Sequence, residues 1–339
     1  MNRILRRAVG AVALCQIVLP SPAVAQSFES LGTRAAGMAG AFVAVADDAS
    51  AVYWNPGALA AGSYFSLVFD RQESEAQPED GVPAGSRSGT LIALSAPALG
   101  LSYYRLRGTI LAPAPTDERV PGRNGTAPGD IQVKALITHH LGATVVQSLI
   151  DGVALGATLK VVRGTAITGT VAGGDPDELL GDVGELNGEG SSRFDADLGV
   201  LASFRNVRAG LTVRNLTEPS FDTAGGGTLR LDRQARAGVS YIPATGWVVA
   251  ADADLTRTQG PFGDVRNVAL GGEGRLYPRA WVRAGVRVNT IDDGAEGRTP
   301  VGSFGASYAV FSSMLVDAHV SVGARTADRG WGLAGRIVF

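Results

Sequence analysis

The sequence predicts an all-β chain that folds as a transmembrane antiparallel β-barrel of about 14 strands with an N-terminal plug. Apolar residues recur at every second position in many segments, and the connections between these segments alternate between short and long. Charged residues collect on one face of the segments. Helical periodicity of comparable length is absent from the sequence, so the strand pattern decides the fold class.

Fourteen segments show the alternation that is typical of strands. Leu155 and Leu159, for example, share one face of such a segment, and Lys160 lies on the other. Most segments have the ~9–11 residues that a tilted strand needs to cross a bilayer. The predicted strands are residues 62–70, 86–96, 98–108, 130–147, 153–164, 193–203, 207–216, 230–242, 247–257, 265–277, 280–290, 299–310, 313–324 and 330–339.

The connections between the predicted strands favour a barrel over a soluble β-sandwich. Connections after even-numbered strands are short, such as Pro97 and residues 311–312. Those after odd-numbered strands are mostly longer, such as residues 71–85, 109–129 and 165–192. Outer-membrane barrels have short periplasmic turns and longer outer loops. The pattern therefore places both chain termini in the periplasm.

Charged residues of the predicted strands lie almost entirely on the face opposite the apolar one. A closed barrel must be apolar only toward lipid, because its strands satisfy one another's hydrogen bonds. Charges of both signs can pair or stay hydrated inside, whereas burying them in a sandwich core is unfavourable. The predicted lumen-facing residues are Lys160, Asp195, Asp197, Arg208, Arg214, Asp252, Asp254, Glu273, Arg275, Arg283, Arg287, Asp317, His319 and Arg336.

The first 25 residues have the pattern of a secretory signal peptide. A basic start is followed by an apolar stretch and by the small-x-small cleavage pattern of residues 23–25. Cleavage there removes Cys15, the only cysteine, so we expect no disulfide or thiol chemistry. The predicted location is the outer membrane. The predicted division is a signal peptide over residues 1–25, an N-terminal plug over 26–61 and an outer-membrane β-barrel over 62–339.

The predicted plug precedes the first strand and does not alternate. Its many glycines and alanines allow close packing against the wall of a barrel whose wide lumen needs filling. Asp47 and Asp48 either reach lumen arginines or cap a short helical turn, and the Asn55-Pro56 step ends helical geometry. The candidate plug or substrate-binding residues, each with a purely structural role as the alternative, are Arg34, Asp47, Asp48, Trp54, Asn55 and Pro56.

Several stretches carry a family resemblance. The sequence SLGTRAAGMAGAFVAVADDASAVYWNPGALA at residues 30–60 resembles the N-terminal signature of the FadL-like superfamily of outer-membrane barrels, which includes long-chain fatty acid and aromatic hydrocarbon transporters. Its spacing is closer still to the PorV/PorQ (TraF-like) branch. Three further stretches resemble that branch: LTVRNLTEPSF at 211–221, RQARAGVSY at 233–241 and LGGEGRLY at 270–277.

The resemblance implies two functions. The first is passive uptake of hydrophobic small molecules, of fatty acid or hydrocarbon type, through an apolar pocket near the plug. The second, from the PorV/PorQ branch, is docking of exported proteins or of a secretion complex. The expected partners are outer-membrane lipid and lipopolysaccharide, a hydrophobic ligand, and the outer-membrane assembly machinery, because the alternating segment that stops at Phe339 resembles its β-signal. A net charge of −2 gives no sign of nucleic-acid binding.

A third possibility, an outer-membrane hydrolase, has little support in the sequence. His139 and His140 are adjacent on a predicted strand, so they point to opposite faces and cannot share a metal ion. No spacing of ligand residues suggests zinc. The acidic residues between Thr165 and Ser192 lack the spacing of a calcium loop, so we expect a solvated loop. We therefore predict no enzyme activity, no metal and no cofactor.

Overall fold

The computed structural model describes residues 31–76, 84–114, 130–171, 190–223, 227–260, 263–291, 300–323 and 329–339. The predicted signal peptide lies outside these residues, as do the acidic positions between residues 172 and 189. Within the described ranges, fourteen antiparallel strands form a closed barrel in which the first strand pairs with the last. This confirms the predicted fold class.

The barrel strands are β1 (Ser66–Ala76), β2 (Ala84–Ala96), β3 (Leu99–Pro113), β4 (Ile131–Ile150), β5 (Val153–Val171), β6 (Gly190–Phe204), β7 (Val207–Arg214), β10 (Gln234–Tyr241), β11 (Trp247–Asp254), β14 (Asn267–Tyr277), β15 (Ala280–Asn289), β16 (Pro300–Phe311), β17 (Met314–Gly323) and β18 (Arg329–Val338). Two short pairs lie outside the barrel: β8 (Ser220–Asp222) with β9 (Thr228–Arg230), and β12 (Thr258–Gly260) with β13 (Gly263–Val265). The helices are α1 (Thr33–Gly37), α2 (Ala51–Trp54) and a 3₁₀ helix (Pro56–Ala61).

Each predicted strand overlaps one barrel strand, in the same order. The largest difference is at the first strand, which was predicted over residues 62–70 and runs over Ser66–Ala76. The 3₁₀ helix reaches Ala61, so the strand begins later than predicted. The strand also continues beyond Asp70, through a polar stretch that carries no apolar alternation. The two short pairs, β8–β9 and β12–β13, were not predicted.

Burial alternates along the strands as a closed barrel requires. On β5, for example, Lys160 and Val162 are buried, while Leu159 is 70% exposed. The alternating exposed positions form the outward face of the barrel. Among the described residues, no helix has both the length and the apolar character needed to span a membrane.

Residues 31–61, here called the N-terminal segment, lie inside the barrel. Helix α1 contacts β1 and β15–β18, whereas the 3₁₀ helix contacts β4–β6 and α2 contacts β3. A segment that touches opposite sides of a closed barrel must occupy its lumen. Nearly every side chain from Leu31 to Ala58 is buried.

Glycines on the inner wall allow the backbone of the N-terminal segment to approach closely. A Cβ atom added at Gly156 or Gly199 would collide with Pro56. A Cβ atom at Gly271 or Gly285 would collide with the backbone of Met38. Side chains at these positions would therefore displace the segment. The inner-wall glycines that contact it are Gly89, Gly100, Gly156, Gly199, Gly210, Gly238, Gly271, Gly285, Gly305 and Gly332.

Candidate functional site

The N-terminal segment follows an irregular path with short helices. Gly40 has a φ of 86°, in the left-handed region that glycine adopts without strain, and the chain turns there. Asp48 accepts a hydrogen bond from the Ser50 N–H at 2.9 Å just before α2 begins. Asn55 is extended and ends α2, and Pro56 then begins the 3₁₀ helix. The predicted interruption at Asn55-Pro56 is thus present in the structure.

Six buried side chains of alternating charge join the N-terminal segment to the wall in a closed ring of ion pairs. None of the six is more than 10% exposed. Two belong to the segment, and the other four lie on β14, β15, β17 and β18. In order, the members of this charge ring are Arg34, Glu273, Arg283, Asp317, Arg336 and Asp48.

On one half of the charge ring, Glu273 bridges two guanidinium groups. Arg34 Nη2 lies 2.7 Å from Glu273 Oε1, and Arg283 Nε lies 2.5 Å from Glu273 Oε2. Arg283 then continues to Asp317, with 3.3 Å between Nη2 and Oδ1. Asp47, which is partly exposed, adds a third carboxylate to Arg34 from outside the ring.

On the other half of the ring, Arg336 links Asp317 to the segment. Arg336 Nε lies 3.0 Å from Asp317 Oδ2, and its Nη1 lies 3.2 Å from Asp48 Oδ2. The same Asp48 oxygen is 3.1 Å from Arg34 Nη1, which closes the ring. Because removal of one partner leaves a buried charge without compensation, each member holds the others in place.

The charges of the ring also set the protonation of its two members on the N-terminal segment. Burial opposes the charge of Asp48, but Arg336 and Arg34 outweigh it and lower the pKa of this carboxyl below its ordinary value. Burial likewise opposes the charge of Arg34, yet Asp47, Glu273 and Asp48 raise its pKa well above the ordinary value. Both groups are therefore charged at neutral pH.

We expect the N-terminal segment to stay in the lumen, and to keep the barrel closed to ions, in mild acid. A carboxyl whose folded pKa is lowered contributes stability above its unfolded pKa and loses it as the pH falls through the folded pKa. In planar bilayers the conductance should therefore stay low from neutral pH to about pH 5 and rise only below the ordinary value of 3.8. Asp48→Asn should conduct already at neutral pH, and Asp222→Asn, an exposed acid on β8, should match the wild type. A wild-type opening near pH 6 would contradict this assignment.

Wall carboxylates bind the irregular backbone of the segment. Asp70 accepts from the Thr33 N–H at 2.5 Å, and one oxygen of Asp252 accepts from the N–H groups of Phe42 and Val43, both at 2.8 Å. These N–H groups lie outside regular strands, so the carboxylates supply the partners that a buried backbone needs. Asp70 was not predicted as a lumen residue, although its parity with Ser66 and Val68 on β1 would have identified it.

Trp54 and Asn55 hold the segment together internally. The Trp54 indole is fully buried and donates to the Leu31 carbonyl at 2.6 Å. Asn55 Nδ2 donates to the carbonyls of Val43 and Val200, both at 3.0 Å, so it joins the segment to β6. These contacts match the structural alternative for both residues.

Two further groups of buried ions line the wall. Lys160 Nζ lies 2.7 Å from Asp197 Oδ1 and 3.1 Å from Asp195 Oδ2. Arg236, which was not predicted, pairs with Asp254 at 2.6 Å. Its parity on β10 with the buried Gln234 and Ser240 is the signal that could have found it.

Five of the other predicted lumen residues differ in exposure. The guanidinium of Arg214, which is buried, stacks over the Tyr53 ring at 3.7 Å from its centroid. His319 is also buried, whereas Arg208 and Arg287 are half-buried. Arg275 is exposed, 5.1 Å from the centroid of the Trp281 ring. For the exposed and half-buried residues, the lumen assignment stays a prediction.

The segment meets β1–β3 through a mostly apolar surface. The buried side chains on this side belong to one cluster that includes four aromatic residues, of which Tyr53 and Tyr104 lie in this contact. Tyr53 and Tyr104 meet edge to face, with 5.4 Å between ring centroids. The members of this apolar seam are Leu31, Val52 and Tyr53 on the segment, and Val68, Leu91, Tyr104 and Leu106 on the wall.

The described residues contain no group of three or more His, Cys, Asp or Glu side chains arranged to hold a metal ion. His140 is buried and His139 is half-exposed on the opposite face of β4, as the sequence predicts. His140 stacks on Tyr104 with 4.2 Å between centroids, and His139 lies 2.9 Å from the Tyr103 hydroxyl.

Solved structures of hydrocarbon channels share this fold. The CymD monoaromatic hydrocarbon channel has a TM-score of 0.65 and 14% identity, over 91% of this chain and 98% of that one. A FadL homologue from Pseudomonas aeruginosa has a TM-score of 0.59 and 13% identity, over 94% and 99%. The toluene transporter TbuX from Ralstonia pickettii has a TM-score of 0.56 and 14% identity, over 89% and 98%. At these identities the likeness shows the fold alone, a closed fourteen-strand barrel.

The sequence comparisons match a smaller part of the chain than the structural comparisons do. The family model for the TraF protein of the F plasmid transfer operon matches residues 115–254. No curated protein matches the sequence. The PorV/PorQ branch is not identified by these comparisons and stays a prediction.

Proposed function

We propose that the protein is an outer-membrane channel for passive uptake of hydrophobic small molecules, with the N-terminal segment as its gate. The observation that carries the proposal is the lumen of the barrel, which the segment fills. The charge ring fixes one side of the segment to β14–β18, and the apolar seam lies on the other side. The fold likeness to a monoaromatic hydrocarbon channel and a toluene transporter supports this substrate class.

The two sides of the segment have different roles in this proposal. Ion pairs in a buried ring support one another, because each carboxylate serves two guanidinium groups. Apolar contacts along the seam exchange for an apolar ligand without leaving a polar group unpaired. A hydrophobic molecule therefore passes between the segment and β1–β3, beside Leu91 and Tyr104.

Leu91→Ser is expected to reduce uptake of an apolar solute such as toluene by about tenfold, because a hydroxyl in the seam makes the path less favourable for an apolar molecule. Ile92→Ser is the matched control, since Ile92 is the next residue on β2 and faces outward, 39% exposed. Uptake of labelled toluene by proteoliposomes measures the effect. Equal uptake by both variants would contradict passage through the seam, and no uptake by the wild type would contradict the proposed function.

A second candidate function is docking of exported proteins or a secretion complex. The observation that favours it is the match of residues 115–254 to the TraF family model. Crosslinking of the full chain in cells, followed by mass spectrometry, tests it. A defined protein partner combined with wild-type proteoliposomes that do not take up toluene would favour docking over transport.

A further inference from the structure

The outward face of the barrel is chemically uneven. On strands β6, β7, β10, β11 and β14–β17, all described, no outward-facing position carries a charged side chain. On β1 and β18 the outward face carries Glu73, Glu75 and Arg329. On β1–β5 it also carries five basic residues toward the end of the barrel with the long connections. These residues are Arg71, Arg105, Arg107, His139 and Arg163.

Four of these residues lie in one row across five neighbouring strands. The strand pairing places Arg71 opposite Thr90, Thr90 opposite Arg105, Arg105 opposite His139, and His139 opposite Arg163. Successive strands are ~4.8 Å apart, so Arg71, Arg105 and Arg163 repeat about every 10 Å along ~19 Å of surface. This set, including Thr90, is here called the basic row.

A row of exposed apolar side chains runs directly beside the basic row. It lies two residues away on every strand, which is ~7 Å toward the end with the short turns. All five members are exposed, from 37% for Tyr103 to 65% for Leu141. In the order of the strands, this apolar row consists of Phe69, Ile92, Tyr103, Leu141 and Val161.

Local contacts orient the basic row along the surface. Arg71 donates to the Thr90 hydroxyl at 3.1 Å and pairs with Glu73, which shares the outward face of β1. Tyr103 reaches from the apolar row to His139 at 2.9 Å. The strand pairing places His139 between Arg105 and Arg163 in the row.

We propose that the basic and apolar rows together bind a phosphorylated glycolipid of the lipopolysaccharide type on the outside of the barrel. This proposal rests on the outer-membrane location in the proposed function. Arginine binds phosphate through paired, charge-assisted hydrogen bonds, and the apolar row beside it suits acyl chains. A headgroup with a single phosphate spans one arginine, whereas three arginines over ~19 Å suit a headgroup with several phosphates.

The test measures lipid binding to the detergent-solubilised full chain by native mass spectrometry. The wild type is expected to retain purified lipopolysaccharide but not its dephosphorylated form. Arg105→Gln/Arg163→Gln should bind lipopolysaccharide about tenfold more weakly, because each lost arginine removes charge-assisted hydrogen bonds. The matched control is Arg230→Gln/Arg233→Gln, which removes two exposed charges at and just after the end of β9, outside the barrel wall, and should bind like the wild type.

Three results would overturn the proposal: unchanged binding by the row variant, equal binding of the dephosphorylated lipid, or equal binding of phosphatidylglycerol. Inorganic phosphate that displaces the lipid at equal concentration would also overturn it, because a free-anion site would then explain the row. Heat-modifiable migration in gels confirms that the variants are folded. Toluene uptake separates this proposal from the proposed channel function. A row variant that loses lipid binding but takes up toluene normally would support the lipid site independently of transport. A wild type that binds the lipid but takes up no toluene would contradict the channel function and leave the lipid site supported.

Discussion

Arg34→Ala should convert the closed barrel into a conducting one. The substitution removes the guanidinium that serves Glu273 and Asp48 within the charge ring and Asp47 beside it. Removal of one partner from a buried ion pair destabilises by about 3–5 kcal/mol, and here the loss falls on the contact between the segment and the wall. The strand hydrogen bonds do not involve Arg34, so the barrel should stay folded. Single-channel recordings in planar bilayers measure the result.

Arg230→Ala, which removes an exposed arginine paired with Asp232, is the control and should remain closed. The double variant Arg34→Ala/Glu273→Gln sharpens the test. Glu273→Gln neutralises a carboxylate that loses its Arg34 partner in the single variant. The conductance of the double variant should therefore lie below that of Arg34→Ala alone. A closed Arg34→Ala channel with normal heat-modifiable migration would mean that the charge ring does not hold the segment.

Gly199→Val should displace the N-terminal segment without touching a single charge. The new side chain would enter the space occupied by Asn55 Oδ1, Pro56 Cδ and the Pro56 backbone nitrogen, and the proline ring and its backbone cannot rotate away. Overpacking in a filled interior typically costs about 1–3 kcal/mol, and more where backbone must move. Limited proteolysis should therefore cleave residues 31–61 in this variant and not in the wild type.

Gly335→Val is the matched control for this substitution. Gly335 lies on β18 with no atom within 4 Å of an added Cβ, so the same change meets open space. A wild-type cleavage pattern in Gly199→Val would show that the segment is not docked against β6 in solution. Equal cleavage of both variants would point to a general loss of barrel stability.

The lipid-facing alternation made the barrel predictable from sequence. A residue such as Leu159 must be apolar because it faces outward, and the same constraint recurs at every second position of each strand. The 3₁₀ helix after Asn55 was missed because the glycines and alanines there fit several local conformations. The strand start at Ser66 was misplaced for the same reason.

The candidate site was predictable residue by residue but not as an arrangement. Arg34 and Asp48 stood out as charges in an otherwise small and apolar segment, and Glu273 and Asp317 as charges on an inward face. The pairing of these charges depends on barrel closure and on the path of the segment. Local sequence patterns predict neither of these. The strand parity of Arg236 would have added it to the inward-facing set.

The charge ring also implies an order for folding, because it can form only after the last barrel strands are in place. It joins residues from the start of the chain to residues on the strands made last, with 239 positions between Arg34 and Glu273 and 288 between Asp48 and Arg336. Contacts of such long range form late in folding, because the intervening chain must first be organised. Until β17 and β18 are in place, the ring lacks Asp317 and Arg336, which are two of its four wall members. Filling of the lumen is thereby coupled to completion of the barrel wall.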